Sequence, residues 1–128
     1  MFGWTGCLLE INLMSGKVDH QEIPLGLLKF LLGGANLGAQ LLLDLGLYAS
    51  DPLDPDNALL FLTGPLSGTN FPGAGRTHIM ARSPLTGLVG ESSLGGYFAT
   101  PLKLAGYDGI ILKGKSPSPT ILEINGLD

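Results

Sequence analysis

The sequence predicts an α+β fold, built of β-hairpins and short strands around one helical region. Three observations carry this. Short apolar runs bounded by turn residues occur near both ends of the chain, at residues 7–13 with 18–23 and at 108–113 with 120–124. Residues 25–45 are dense in leucine, whose weak β propensity favours a helix there. More than half of the twenty glycines fall between Leu62 and Lys115, where loops therefore dominate.

In chain order, residues 7–13, the turn Met14-Ser15-Gly16-Lys17 and residues 18–23 read as a first hairpin, which Pro24 ends. Gly33-Gly34-Ala35-Asn36 interrupts the leucine-rich region and divides it into helical pieces at 25–32 and 37–45. Asn36 is placed to cap the second piece and Gly46 to end it. Residues 50–57, with Asp51, Pro52, Asp54, Pro55 and Asp56, are turn chemistry. A calcium loop is disfavoured there, because two prolines and the missing distal glutamate spoil the pattern. Residues 58–63 form a buried strand, Ile79-Met80-Ala81 a short one, and residues 102–105 the end of a short helix. Residues 108–113 and 120–124, across Ser116-Pro117-Ser118-Pro119, make the second hairpin. Leu8-Leu9-Glu10-Ile11-Asn12 is echoed by Ile121-Leu122-Glu123-Ile124-Asn125, which suggests two similar halves with the second left incomplete.

Composition narrows the function classes. Charged residues make up 14% of the 128 and the net charge is −4, so a nucleic-acid surface is not expected. A charged share below the roughly 25% of ordinary domains suggests that further chain or a partner covers part of the surface. No apolar run reaches the length of a membrane span, and no signal peptide is evident. The single cysteine, Cys7, excludes a disulfide framework or a cysteine metal site made by this chain alone, and it reads as a buried structural thiol. A reducing, cytoplasmic setting is the expectation.

Three small-residue clusters stand out: Gly73-Ala74-Gly75-Arg76, Ser83-Pro84-Leu85-Thr86-Gly87 and Ser92-Ser93-Leu94-Gly95-Gly96. Arg76 at a loop tip is either a permanent cation for a phosphate-like oxyanion, flanked by glycine amides, or an exposed arginine in a surface salt bridge. The surroundings of Ser92 and Ser93 do not fit a nucleophile elbow. His78 would share a face with Arg76 on one strand and reads as a satisfied structural histidine rather than a base, while His20 sits in a polar, turn-like patch. The dinucleotide and P-loop glycine patterns are absent. The residues therefore support an anion-binding glycine scaffold, with no self-contained catalytic set and no side-chain metal site.

At these residues the chain resembles the N-terminal domain of the aldehyde ferredoxin oxidoreductase family, over nearly its whole length. The resemblance is carried by Thr63-Gly64-Pro65-Leu66-Ser67-Gly68-Thr69, Gly75-Arg76, Ser83-Pro84-Leu85-Thr86-Gly87, Gly95-Gly96-Tyr97-Phe98 and Leu102-Lys103-Leu104-Ala105-Gly106-Tyr107-Asp108. It implies an α+β base of two similar halves carrying a tungsto- or molybdo-bis-pyranopterin, the metal held by pterin dithiolene sulfurs. It implies that Arg76 lies beside the pterin, towards a [4Fe-4S] cluster ligated outside this chain. Ser93, Gly95 and Gly96 would meet the pterin phosphates and the magnesium ion that bridges them. The implied activity is oxidation of aldehydes to carboxylic acids, with ferredoxin as electron acceptor. Residues 1–128 would be an incomplete pterin-binding domain, inactive alone, needing further domains or a second subunit. The sequence departs from the family at Ala35 and Asn36, where Arg-Gly is common, at Thr77, at Ser93 in place of asparagine and at Leu94 in place of serine. The competing reading is a non-catalytic scaffold or interaction module that keeps the fold without the metal cofactor.

Overall fold

The computed structural model describes residues 3–49 and 51–125. They form an α+β unit with six strands and three helices in the order β1 (Cys7–Asn12), β2 (Lys17–Glu22), α1 (Leu25–Leu31), α2 (Gly34–Asp44), β3 (Leu59–Thr63), β4 (Thr77–Arg82), β5 (Val89–Leu94), α3 (Ala99–Leu104) and β6 (Gly109–Lys113). The strands make one mixed sheet in the order β2-β1-β6-β3-β4-β5. Only β1 and β6 run parallel; all other neighbours are antiparallel.

Alternation along the strands separates two apolar layers. Leu8, Leu60, Leu62, Met80 and Ile111 face α1 and α2, meeting Leu28, Leu37 and Leu42. Leu9, Ile11 and Ile110 face the other way, towards Leu102 of α3, Ala105 at its C-cap and Tyr107. Each fully buried leucine contributes about 1.5–3 kcal/mol, so the leucine-rich helices are held by packing against the sheet rather than by propensity. Gly38 is where α2 comes closest, since a Cβ there would run into Met80 and Leu62. Pro24, which ends the first hairpin, also stands at the N-cap of α1; Gly46 (φ +68°) turns the chain after α2, as expected.

Four local expectations are corrected. Asn36 does not cap α2; the helix begins two residues earlier, and Asn36 Nδ2 donates to Leu31 O at 3.3 Å. Ser92, Ser93 and Leu94 are not loop but the end of β5, paired with Ile79, His78 and Thr77. A polar edge strand has little apolar alternation to reveal it, and its pairing comes from β4. Residues 120–124 form no strand with β6. Both sides of β6 are already taken by β1 and β3, so no free edge is left for a second hairpin. His20 lies in β2 rather than a turn, exposed, with its ring stacked on Tyr107 at 5.7 Å.

Cys7 is half-buried against the α3-side core. Burial raises its pKa, and Asp108 and then Glu22 add to this, so the thiolate fraction at any given pH is lower than for a free cysteine. Iodoacetamide at pH 8 is expected to label Cys7 several-fold more slowly in the native chain than in urea. Equal rates would show that the thiol is not shielded.

Candidate anion-binding groove

The ends of β3 and β4 that lie beside the start of α2 are joined to loops that leave an open groove of about 410 Å³. Its walls are Leu32 to Asn36, Gly64 to Ser67, Gly73, Ala74, Arg76 and His78. The alternating apolar residues of β3 and β4 anchor the sheet below, and polar ties shape the loops above. Ser67 Oγ accepts from Gly64 N at 3.3 Å and donates to Ala74 O at 3.0 Å, locking the two loops together. On the other side Trp4 Nε1 donates to Leu32 O at 2.9 Å.

Glycine is required at Gly33. Its φ is +117°, and a Cβ there would stand 2.7 Å from Thr63 O, so helix α2 starts hard against the exit of β3. The N-terminus of α2 has no side-chain cap and no acidic residue in its first turn. Its first amides therefore line a groove that carries no anion of its own.

Arg76 is exposed at the groove. Among the described residues its guanidinium has no carboxylate partner; Nη1 donates to Ser93 Oγ at 3.4 Å. Gly96 is adjacent, since a Cβ at Gly75 would lie 3.1 Å from Gly96 O, while nothing stands within 4 Å of the vacant Cβ positions of Gly95 and Gly96. The structure thus brings Arg76, Ser93 and Gly96 together. The groove wall itself contains Arg76 but not Ser93, Gly95 or Gly96, which lie on its β5 side. His78 has a partner, as a structural histidine should: Nδ1 is 2.6 Å from Glu91 Oε1.

Sequence reasoning missed that the α2 N-terminus and the 64–67 loop supply most of the wall. The signal available is the Gly33-Gly34 break, a pair of small residues that lets the helix start close to a neighbouring strand. Among the described residues no group of three or more His, Cys, Asp or Glu is placed to hold a metal ion. Nor, among the described residues, is any helix long and apolar enough to cross a membrane.

A family model described as "Aldehyde ferredoxin oxidoreductase, N-terminal domain" matches residues 8–128. The tungsten-containing aldehyde ferredoxin oxidoreductase of Pyrococcus horikoshii is 40% identical over 125 residues, covering 98% of this chain and 21% of that protein. The aliphatic sulfonate oxidoreductase WOR-like subunit of Pyrococcus furiosus is 41% identical over 128 residues, covering 98% of this chain and 20% of that protein. Among solved structures, a chain of the BamBC active-site complex of benzoyl coenzyme A reductase with 1,5-dienoyl-CoA superposes with a TM-score of 0.87. It is 38% identical, over 91% of this chain and 18% of that one. The chain spans about a fifth of the length of these relatives. With the family model matched over residues 8–128 and its fold shared with a solved relative over 91% of its length, this chain belongs to the aldehyde ferredoxin oxidoreductase family and carries that family's N-terminal domain.

Proposed function

We propose that this chain forms the pterin-binding base of a tungsten or molybdenum oxidoreductase. The observation that carries the reading is Arg76: an exposed guanidinium without a carboxylate partner among the described residues, at a groove walled by glycine main chain. The residues fit the group. A guanidinium and unobstructed amides suit phosphate oxygens, and the small residues Gly33, Gly34, Gly64 and Gly73 leave room for a flat ring system to approach the backbone. When bound, a bis-pyranopterin metal supplies the two-electron redox chemistry that oxidises an aldehyde to a carboxylic acid. Arg76 fixes and neutralises the anionic part of the ligand on the groove side. Ser93, Gly95 and Gly96 offer a hydroxyl and open main chain on the β5 side, which would suit phosphate oxygens and an accompanying magnesium ion. On this reading residues 121–125, which echo β1, open the second of two similar halves.

The relatives' names point to different substrates, aldehydes in one case and aliphatic sulfonates in another, while all share this domain. A common cofactor base accounts for that better than a substrate site. Substrate contacts, the [4Fe-4S] cluster and the ferredoxin surface are then contributed by the remaining domains or a second subunit, in the cytoplasm.

Metal analysis of the protein isolated from its native host tests the reading. Tungsten or molybdenum is expected, with pterin fluorescence after oxidative release. A folded protein free of both would favour a non-catalytic scaffold instead. The 128-residue chain alone is expected to give no reduction of a viologen dye with any aldehyde, and turnover by it would contradict the division of labour.

A further inference from the structure

His78 and Glu91 form a pair that the reading above does not use. His78 is the second residue of β4 and lines the groove with Arg76. Glu91 lies in β5 opposite Met80, one diagonal step from His78 on the same face of the sheet. Its Oε1 is 2.6 Å from His78 Nδ1. An ionised carboxylate can only accept, so Nδ1 carries a proton and a neutral ring keeps its lone pair on Nε2. That nitrogen has no hydrogen-bond partner among the described residues. On the ring's other edge Gly34 leaves the imidazole its space, since a Cβ there would stand 3.0 Å from Cδ2 and 3.4 Å from Nε2.

Arg76 and the first amides of α2 only donate. Donors alone suit any phosphate; a fixed acceptor beside them narrows what fits. We infer that His78, oriented by Glu91, is a specificity-determining residue of the groove. Its Nε2 accepts a hydrogen bond from an N–H of a nitrogen heterocycle whose phosphate is met by the donors. The inference deepens the pterin reading and rests on it, since a pterin carries both ring N–H groups and a phosphate. Glu91 is a positioning residue that acts through the imidazole.

The test uses the whole enzyme isolated from culture supplied with tungstate. Bound pterin is read as fluorescence after oxidative release, and the thermal midpoint serves as the check on folding. His78→Leu is expected to lower pterin per chain about tenfold, the scale of one lost hydrogen bond whose partner is left unpaired. Glu91→Leu should lower it a few-fold, while Glu91→Gln, which still accepts from Nδ1–H, should hold pterin as the native protein does. The midpoints should change little, because both side chains are partly exposed. A folded His78→Leu protein with native pterin content overturns the inference and leaves the Arg76 reading in place. Should His78→Leu fail to fold, equal pterin in Glu91→Leu and Glu91→Gln overturns it instead. Native enzyme without pterin, or an Arg76→Ala variant that keeps it fully, overturns the groove reading and this inference together.

Discussion

Asp108→Ala is expected to lose most of the stability of the chain. Asp108 and Lys103 are an ion pair with both side chains only 2% exposed. The carboxylate also accepts from the amides of Thr5, at 3.1 Å, and Gly6, at 2.7 Å, while Lys103 Nζ donates to Gly3 O at 2.9 Å. This cluster ties the N-terminal segment to the turn between α3 and β6. Removing the carboxylate leaves a buried ammonium with one neutral partner and two amides with none. Breaking a buried pair in this way costs about 3–5 kcal/mol. Typical domains hold only about 5–15 kcal/mol in total. Asp108→Asn, which still accepts, should cost less, and Lys103→Met should fall on the same side. Urea unfolding followed by the fluorescence of Trp4 checks the order. An unchanged midpoint for Asp108→Ala would mean that the cluster is not a structural tie.

Arg76→Ala is expected to weaken pterin retention by the assembled enzyme about tenfold to a hundredfold, matching the roughly 1.5–3 kcal/mol of a charge-assisted contact. The fold should be untouched, because the guanidinium is exposed and its hydrogen bond to Ser93 Oγ, at 3.4 Å, is long. Arg76→Lys should recover part of the loss, since an ammonium restores the charge but not two parallel bonds. Release half-times after dilution into pterin-free buffer measure this directly. An Arg76→Ala enzyme that holds its pterin as long as the native one would remove the arginine from the site.

Much of this was readable in the residues. The first hairpin, the leucine-rich helices broken at Gly33-Gly34 and the buried strand at β3 all follow from local periodicity and turn chemistry. What escaped depends on distant pairing. Nothing local in Val89-Gly90-Glu91-Ser92-Ser93-Leu94 marks a strand; β4 makes it one. Residues 120–124 have a strand's composition but no partner, because the edge they would need is filled by residues more than fifty positions earlier. The site divides in the same way. Arg76 was legible as a loop-tip cation, and Ser93 and Gly96 do come beside it. The wall built by residues 32–36 required knowing that α2 starts against the end of β3. The pairing of His78 with Glu91 required the register of an edge strand that could not be seen.

The position of β6 sets the order in which this chain can fold. Among the described residues it comes last in the chain, yet it sits between β1 and β3 and is the strand that touches both. Until residue 113 leaves the ribosome, the β1-β2 hairpin and the β3-β4-β5 meander have no shared edge. Two partial sheets must wait for a strand whose pairing with β1 spans about a hundred residues, and such distant closure is slow. A nascent chain stopped short of β6 therefore displays two strand edges more than the finished sheet, β1 and β3, and is the form most exposed to aggregation and to chaperones.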